Sequence, residues 1–170
     1  WDVIEVAFRA LLDSAGRQSQ AFVHRDYHSR NLLISESGQP GILDFQDAVH
    51  GPITYDLVSL LRDCYIAWPD DRVEAWVEAY RQRAETAGLA TGSPAQFLQA
   101  FDLMGLQRHI KVLGIFCRLY YRDGKSGYLG DLPLVWEYTR RIGRKYPETN
   151  PLIELIEHAI GTRDITLPSA

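Results

Sequence analysis

The sequence predicts an α-rich α+β fold, a mostly helical lobe that carries one short β-hairpin. Three observations predict it. Apolar residues recur at helical spacing through most of the chain after Thr54, the mark of helices that bury one face. Two short apolar runs, Leu32-Leu33-Ile34 and Gly41-Ile42-Leu43, enclose Ser-Glu-Ser-Gly-Gln-Pro, where Gly38 can supply the turn. Proline sits at or next to the first helical position in Ser93-Pro94, Asp131-Leu132-Pro133 and Asn150-Pro151, as it does where helices start.

In chain order, Val3, Ile4, Ala7, Phe8, Leu11 and Leu12 predict a helix over residues 1–13, ended by Gly16. The apolar stretch Ala21-Phe22-Val23 leads into a polar run over 24–31, and the hairpin follows directly. Thr54 can cap a helix from Tyr55 to about Ala67, stopped by Pro69. Asp70 or Asp71 can cap the next, with Val73, Trp76, Val77 and Tyr80 on its apolar face and Gly88 at its end. A long helix over 95–122, one from Asp131 through about Tyr146 and one from Asn150 complete the pattern. No repeat or linker interrupts it, so residues 1–170 are expected to form one lobe.

Composition sets the class. The chain is 46% hydrophobic and 24% charged over 170 residues, enough for a substantial core without staples. Cys64 and Cys117 form no close-spaced pair, which suggests neither a disulfide framework nor a zinc knuckle, and a reducing cytoplasm is the expected compartment. Net charge is −4 with no extended basic tract, which argues against nucleic acid as a partner. No apolar run is long enough to predict a membrane span. The sequence opens at Trp1, directly in a helical pattern, and is expected to be a piece of a longer chain.

The chemistry concentrates around the hairpin. Asp26 and Asn31 stand five apart in the polar run, and Asp44-Phe45 lies at the hairpin's exit. A hairpin returns its far end close to its start, so Asp44 can converge on Asp26 and Asn31. This is the order His-Arg-Asp-x-x-x-x-Asn then Asp-Phe of kinase catalytic and metal-binding loops. Phosphoryl transfer needs a carboxylate to take the proton of the attacking hydroxyl, and hard oxygen ligands to hold Mg²⁺ on the nucleotide phosphates. The competing readings are plainer. Asp26 and Asn31 can serve as turn and cap residues, and the alternation His24, Asp26, His28 can ligate a transition metal, which leaves Asn31 and Asp44 without a role. Asp56, in the first turn of its helix, suits the helix dipole or acts as a buried strut that accepts N–H groups from the catalytic loop. Gly124-Lys125-Ser126 fails as a phosphate-binding loop because Leu119 stands where its first glycine is needed.

The run His24-Arg25-Asp26-Tyr27-His28-Ser29-Arg30-Asn31, followed by Asp44-Phe45-Gln46 and not by Asp-Phe-Gly, resembles the aminoglycoside phosphotransferase/choline kinase superfamily. The stretches Pro40 to Ala48, Tyr55 to Tyr65 and Gln107 to Phe116 are similar to the bacterial anomeric kinases of N-acetylmuramate and N-acetylglucosamine, which act in cell-wall recycling. The resemblance implies a protein-kinase-like carboxy-terminal lobe whose amino-terminal, nucleotide-holding lobe is not in this chain and would pack on the catalytic face. It implies ATP and Mg²⁺, with Asp26 as catalytic base and Asn31 and Asp44 as metal ligands. It further implies His24 and His28 near the cofactor, and Arg30, Gln46, Asp47, Arg108, His109 and Lys111 on the acceptor side. The alternatives within reach are another small-molecule kinase of the superfamily, acting on an aminoglycoside or choline, and a lobe that binds without turnover.

One physical feature bears on the acceptor. Arg108, Lys111, Arg118 and Arg122 recur along one helix face, and arginine suits carboxylate or phosphate. Such a stripe favours an anionic or neutral sugar over a polycationic aminoglycoside; the plainer alternative is a solvated helix face.

Overall fold

The computed structural model describes residues 1–36 and 38–167. Its elements run α1 (Asp2–Gly16), β1 (Gln20–Val23), a 3₁₀ turn (Ser29–Asn31), β2 (Leu32–Ile34), β3 (Pro40–Ile42), β4 (Val49–Pro52), α2 (Tyr55–Leu61) and α3 (Asp70–Thr86). They continue through α4 (Pro94–Asp123), a 3₁₀ segment (Ser126–Asp131), α5 (Leu132–Lys145) and α6 (Asn150–Ile160). The chain is mostly helical with two small antiparallel sheets, and it divides into two compact units.

One unit spans Ser14–Met104. The expected hairpin is there: β2 pairs with β3 in the register Leu32↔Ile42, Leu33↔Gly41, Ile34↔Pro40. Gly38 takes φ +78° in the turn, a value that only glycine adopts without cost; Ser37 lies outside the described residues. A second sheet was not expected. β4 pairs with β1 through Gln20↔Pro52, Ala21↔Gly51, Phe22↔His50 and Val23↔Val49. The segment Val-His-Gly-Pro carries neither alternation nor β-branched runs, so only its partner reveals it as a strand.

The core of this unit joins Ile53, Val58, Leu61, Val73, Val77, Phe97, Phe101 and Met104, all buried. Each such side chain contributes about 1.5–3 kcal/mol of burial, which locks α2, α3 and the first half of α4 around it. Tyr80 on α3 adds a polar tie, its hydroxyl donating to the Ile53 carbonyl at 3.2 Å. Trp76, expected on the apolar face of α3, is 37% exposed and meets Trp68 edge-on.

α2 begins at Tyr55 with Thr54 in the cap position, as expected, but the Thr54 side chain makes no capping bond; its hydroxyl donates to Gln18 Oε1 at 2.7 Å, tying α2 to the chain before β1. Two helix boundaries do differ. α2 stops at Leu61, short of Ala67, where Arg62 and Asp63 turn inward, Arg62 onto the buried Asp102 and Asp63 onto the part-buried Ser29. α3 is entered through Pro69, and neither Asp70 nor Asp71 takes the cap position. Ser93-Pro94 does begin a helix. The Gln96 N–H donates to Ser93 Oγ while Gln96 Oε1 accepts the Ser93 N–H, a reciprocal capping box.

The other unit joins Trp1–Asp13 to the residues from Gly105 onward. Leu106, Val135, Tyr138, Ile142, Leu152 and Ile153 are buried in it. α5 and α6 pack closely at Gly143, where a Cβ would collide with the Ile153 side chain. Thr149 closes the connection between them: its hydroxyl donates to the Gly143 carbonyl at 2.7 Å. Among the described residues, no helix is long and apolar enough to cross a membrane.

Candidate active site

The loop between β1 and β2 is built from its backbone outward. Arg25 has φ +78°, a left-handed conformation at a non-glycine residue, which costs about 1–3 kcal/mol. Asp56 in the first turn of α2 answers it. Its Oδ2 accepts the His24 N–H at 2.6 Å and its Oδ1 accepts the Arg25 N–H at 3.0 Å. Hydrogen bonds to a charged acceptor contribute about 1.5–3 kcal/mol each, so the pair outweighs the strain and holds the bend. The acid sits where the α2 amino terminus also favours negative charge.

Past the bend, Asn31 Nδ2 donates to the Asp26 carbonyl at 3.0 Å and the His28 N–H donates to the same oxygen at 3.0 Å. Asp26 therefore enters this network through its backbone and not its carboxylate. The Asn31 N–H closes the turn on the His28 carbonyl at 3.0 Å. The hairpin then brings its exit back to this point: the Leu43 N–H donates to the Asn31 carbonyl at 3.0 Å. Asp44 follows, exposed and in a left-handed conformation with φ +68°, and Gln46 Nε2 donates to its Oδ1.

The oxygens present fit Mg²⁺. Asn31 commits its amide nitrogen to Asp26, which leaves Oδ1 as an oxygen donor, and Asp44 Oδ2 is a second hard donor on an exposed carboxylate. Among the described residues no cluster of three or more His, Cys, Asp or Glu could hold a metal. A soft or borderline metal therefore finds no cage around His24, Asp26 and His28, whereas Mg²⁺ needs few protein ligands when phosphates supply the rest.

The remaining expected residues fall in different settings. The His24 ring is buried, edge-on to Tyr27, so His24 serves the loop through its backbone. His28 meets Tyr65 edge-on. Arg30 lays its guanidinium over the Tyr65 ring, 3.4 Å from the centroid; its in-plane N–H groups remain the edge it can present. Asp47 is exposed and offers its carbonyl to Arg25 Nη1 at 3.4 Å, a long contact. Arg108, His109 and Lys111 lie on α4 in the other unit. His109 is 3% exposed and stacks on Tyr138 at 5.0 Å, a core position; Arg108 is half-buried and Lys111 exposed. Of the outer cations, Arg122 is taken by Asp123 at 2.7 Å.

Sequence reasoning missed Asp63 and Tyr65, both of which touch the loop. The available signal was a charged pair, Arg62-Asp63, set inside an otherwise apolar stretch from Leu57 to Trp68.

A strained bend precedes Asp26, Asn31 is hydrogen-bonded back to the Asp26 carbonyl, and the hairpin brings back Asp44, the residue after the one bonded to Asn31. The chain belongs to the phosphotransferase enzyme family (APH), which matches residues 1–95. Curated relatives include the N-acetylmuramate/N-acetylglucosamine kinases of Pseudomonas putida and Pseudomonas aeruginosa, each 49% identical over 147 residues, or 86% of this chain. The kinase of the same name from Neisseria meningitidis is 47% identical over 156 residues, or 91% of this chain. The chain spans 43% of the length of the two Pseudomonas kinases and 46% of the Neisseria one.

Proposed function

We propose that this chain supplies the carboxy-terminal, catalytic lobe of a kinase that transfers the γ-phosphoryl group of ATP to the anomeric hydroxyl of an amino sugar. N-acetylmuramate and N-acetylglucosamine, the substrates in the relatives' names, are the proposed acceptors, in a cytoplasmic step of cell-wall recycling. The observation that carries the reading is the loop itself: Asp56 holds the bend before Asp26, and Asn31 is bonded to the Asp26 carbonyl on one side and accepts the N–H of Leu43, the residue before Asp44, on the other.

In this mechanism Asp26 takes the proton of the C1 hydroxyl as its oxygen bonds to the γ-phosphorus and the bond to ADP breaks. Sugar 1-phosphate and ADP leave, and the Asp26 proton returns to solvent. Asn31 Oδ1 and Asp44 would hold Mg²⁺, which when bound neutralises charge on the phosphates. Arg108 and Lys111 on α4 are proposed as determinants of acceptor choice, because a lactyl carboxylate suits cations. The amino-terminal lobe that a kinase needs is proposed to cover the hairpin. There Leu33, Ile34, Ile42, Leu43 and Phe45 are all exposed, Ile34 at 85%, and such apolar surface marks a covered face.

The direct test is the full-length protein with ATP, Mg²⁺ and each sugar, read by phosphorus NMR. A sugar 1-phosphate resonance from at least one is expected; none from either would overturn the anomeric-kinase reading.

A further inference from the structure

The catalytic loop is held at two points, and only the first, Asp56, has a place in the mechanism so far. The second is Asp63. It lies just past α2, is 3% exposed, and spends its carboxylate on the loop. Oδ2 accepts both the Ser29 N–H at 3.1 Å and the Ser29 hydroxyl at 2.5 Å, while Oδ1 accepts the Tyr65 N–H at 3.2 Å. A buried carboxylate is tolerated only when its lone pairs are filled in this way. Its neighbour Arg62 is paired with Asp102 at 2.7 Å and lies over the Phe101 ring. Asp63 Oδ2 is engaged twice by Ser29, through the backbone and through the hydroxyl.

Ser29 opens the 3₁₀ turn Ser29–Asn31. Fixing its backbone and its hydroxyl together fixes where that turn begins. The turn delivers Asn31, whose amide reaches back to the Asp26 carbonyl. Tyr65, whose N–H Asp63 also holds, presents its ring to Arg30 at 3.4 Å and to His28 at 6.1 Å. The segment Asp63–Tyr65 thus touches three consecutive loop residues, His28, Ser29 and Arg30.

We propose that Asp63 is a positioning residue for phosphoryl transfer, which through Ser29 sets the spacing between the Asp26 carboxylate and the Asn31 amide oxygen. Neither Asp63 nor Ser29 touches the reacting atoms. The inference rests on the reading of Asp26 as the catalytic base and names what holds that base in register with the metal-binding amide.

The test uses the full-length protein carrying Asp63→Ala, Ser29→Ala or both, assayed well below the melting temperature. Asp63→Ala is expected to lower kcat about 10- to 100-fold, the usual cost of losing a residue that orients a ligand or base, with KM for ATP within about threefold because the groups that contact nucleotide remain. Ser29→Ala is expected to lower kcat in the same direction, and the double variant to be no worse than Asp63→Ala. Hydrogen exchange gives a second readout: the Ser29 amide should exchange faster in Asp63→Ala while the Val23 and Val49 amides keep their protection. Wild-type kcat in a folded Asp63→Ala, or multiplicative losses in the double variant, overturns the proposal. If Asp63→Ala does not fold, Ser29→Ala decides alone, and unchanged kcat there overturns it. An inactive wild type, by contrast, sinks the kinase reading and is told apart at the first assay.

Discussion

Arg25 and Asp44 are the non-glycine residues with positive φ among those described; Arg25 adjoins Asp26, and Asp44 is itself proposed as a metal ligand. Strain of this kind persists only where the surroundings enforce it. For Arg25 the enforcer is Asp56, so Asp56→Ala should strand two loop N–H groups and cost about 1–3 kcal/mol for each one left unpaired. Urea denaturation of the two proteins measures it; a loss below half a kcal/mol would show that the bend stands without its acid. Asp26→Asn is the opposite case. It removes the proposed proton acceptor and leaves the backbone bonds of the loop in place, so kcat should fall about 10²–10⁴-fold with little change in Tm. Near-normal turnover in that variant would rule out its role. Asp26, Asn31 and Asp44 were legible in the sequence because their spacing is local and the hairpin between them is short. Asp63 was not, because its partner Ser29 is 34 residues away and no periodicity links them.

At the scale of elements, sequence signals worked where one residue settles a boundary, and failed where a partner does. Ser93-Pro94 could be read because its capping box is self-contained. The start of α2 after Thr54 was readable too, but the partner of the Thr54 hydroxyl was not, because Gln18 takes it, and β4 is a strand only by virtue of β1. α3 carries a pH-dependent contribution. Glu78 receives two hydrogen bonds from Arg81, which hold its carboxyl down from 4.5 to about 2. A lowered carboxyl stabilises the fold above its unfolded pKa and loses that contribution as pH falls through the folded value. The Tm difference between wild type and Glu78→Gln should therefore be present at neutral pH and shrink between pH 4.5 and about 2; a constant difference would show that the pair is inert. In α5, replacing a helix-interior glycine by alanine ordinarily gains about 1 kcal/mol. At Gly143 the new methyl would strike Ile153, so Gly143→Ala should lower Tm by the equivalent of about 1–3 kcal/mol, with Ile153→Val restoring part of the loss.

Across the whole chain, the sequence made the helices and the hairpin readable but not the division into two units. The boundaries fall inside α1, between Asp13 and Ser14, and inside α4, between Met104 and Gly105. Helical periodicity runs through both places unbroken, so no composition shift could mark them. The exposed side chains of the hairpin make a further prediction at this scale. Residues 1–170 expressed alone should bind a hydrophobic dye and self-associate, whereas the full-length protein should do neither. Equal dye binding by the two would show that Ile34 and Phe45 face solvent in both.

α2 is seven residues long, with Asp56 in its first turn and Asp63 two residues beyond its end. At about 1.5 Å of rise and 100° of rotation per residue, its length acts as a gauge between the two acids. Side chains along it can be exchanged without disturbing that gauge; a one-residue insertion or deletion cannot. Such a change would swing Asp63 roughly a quarter turn away from Ser29 while Asp56 kept its grip on His24 and Arg25. Length variation within α2 should thus lower turnover at least as far as Asp63→Ala does, even where the core repacks around it.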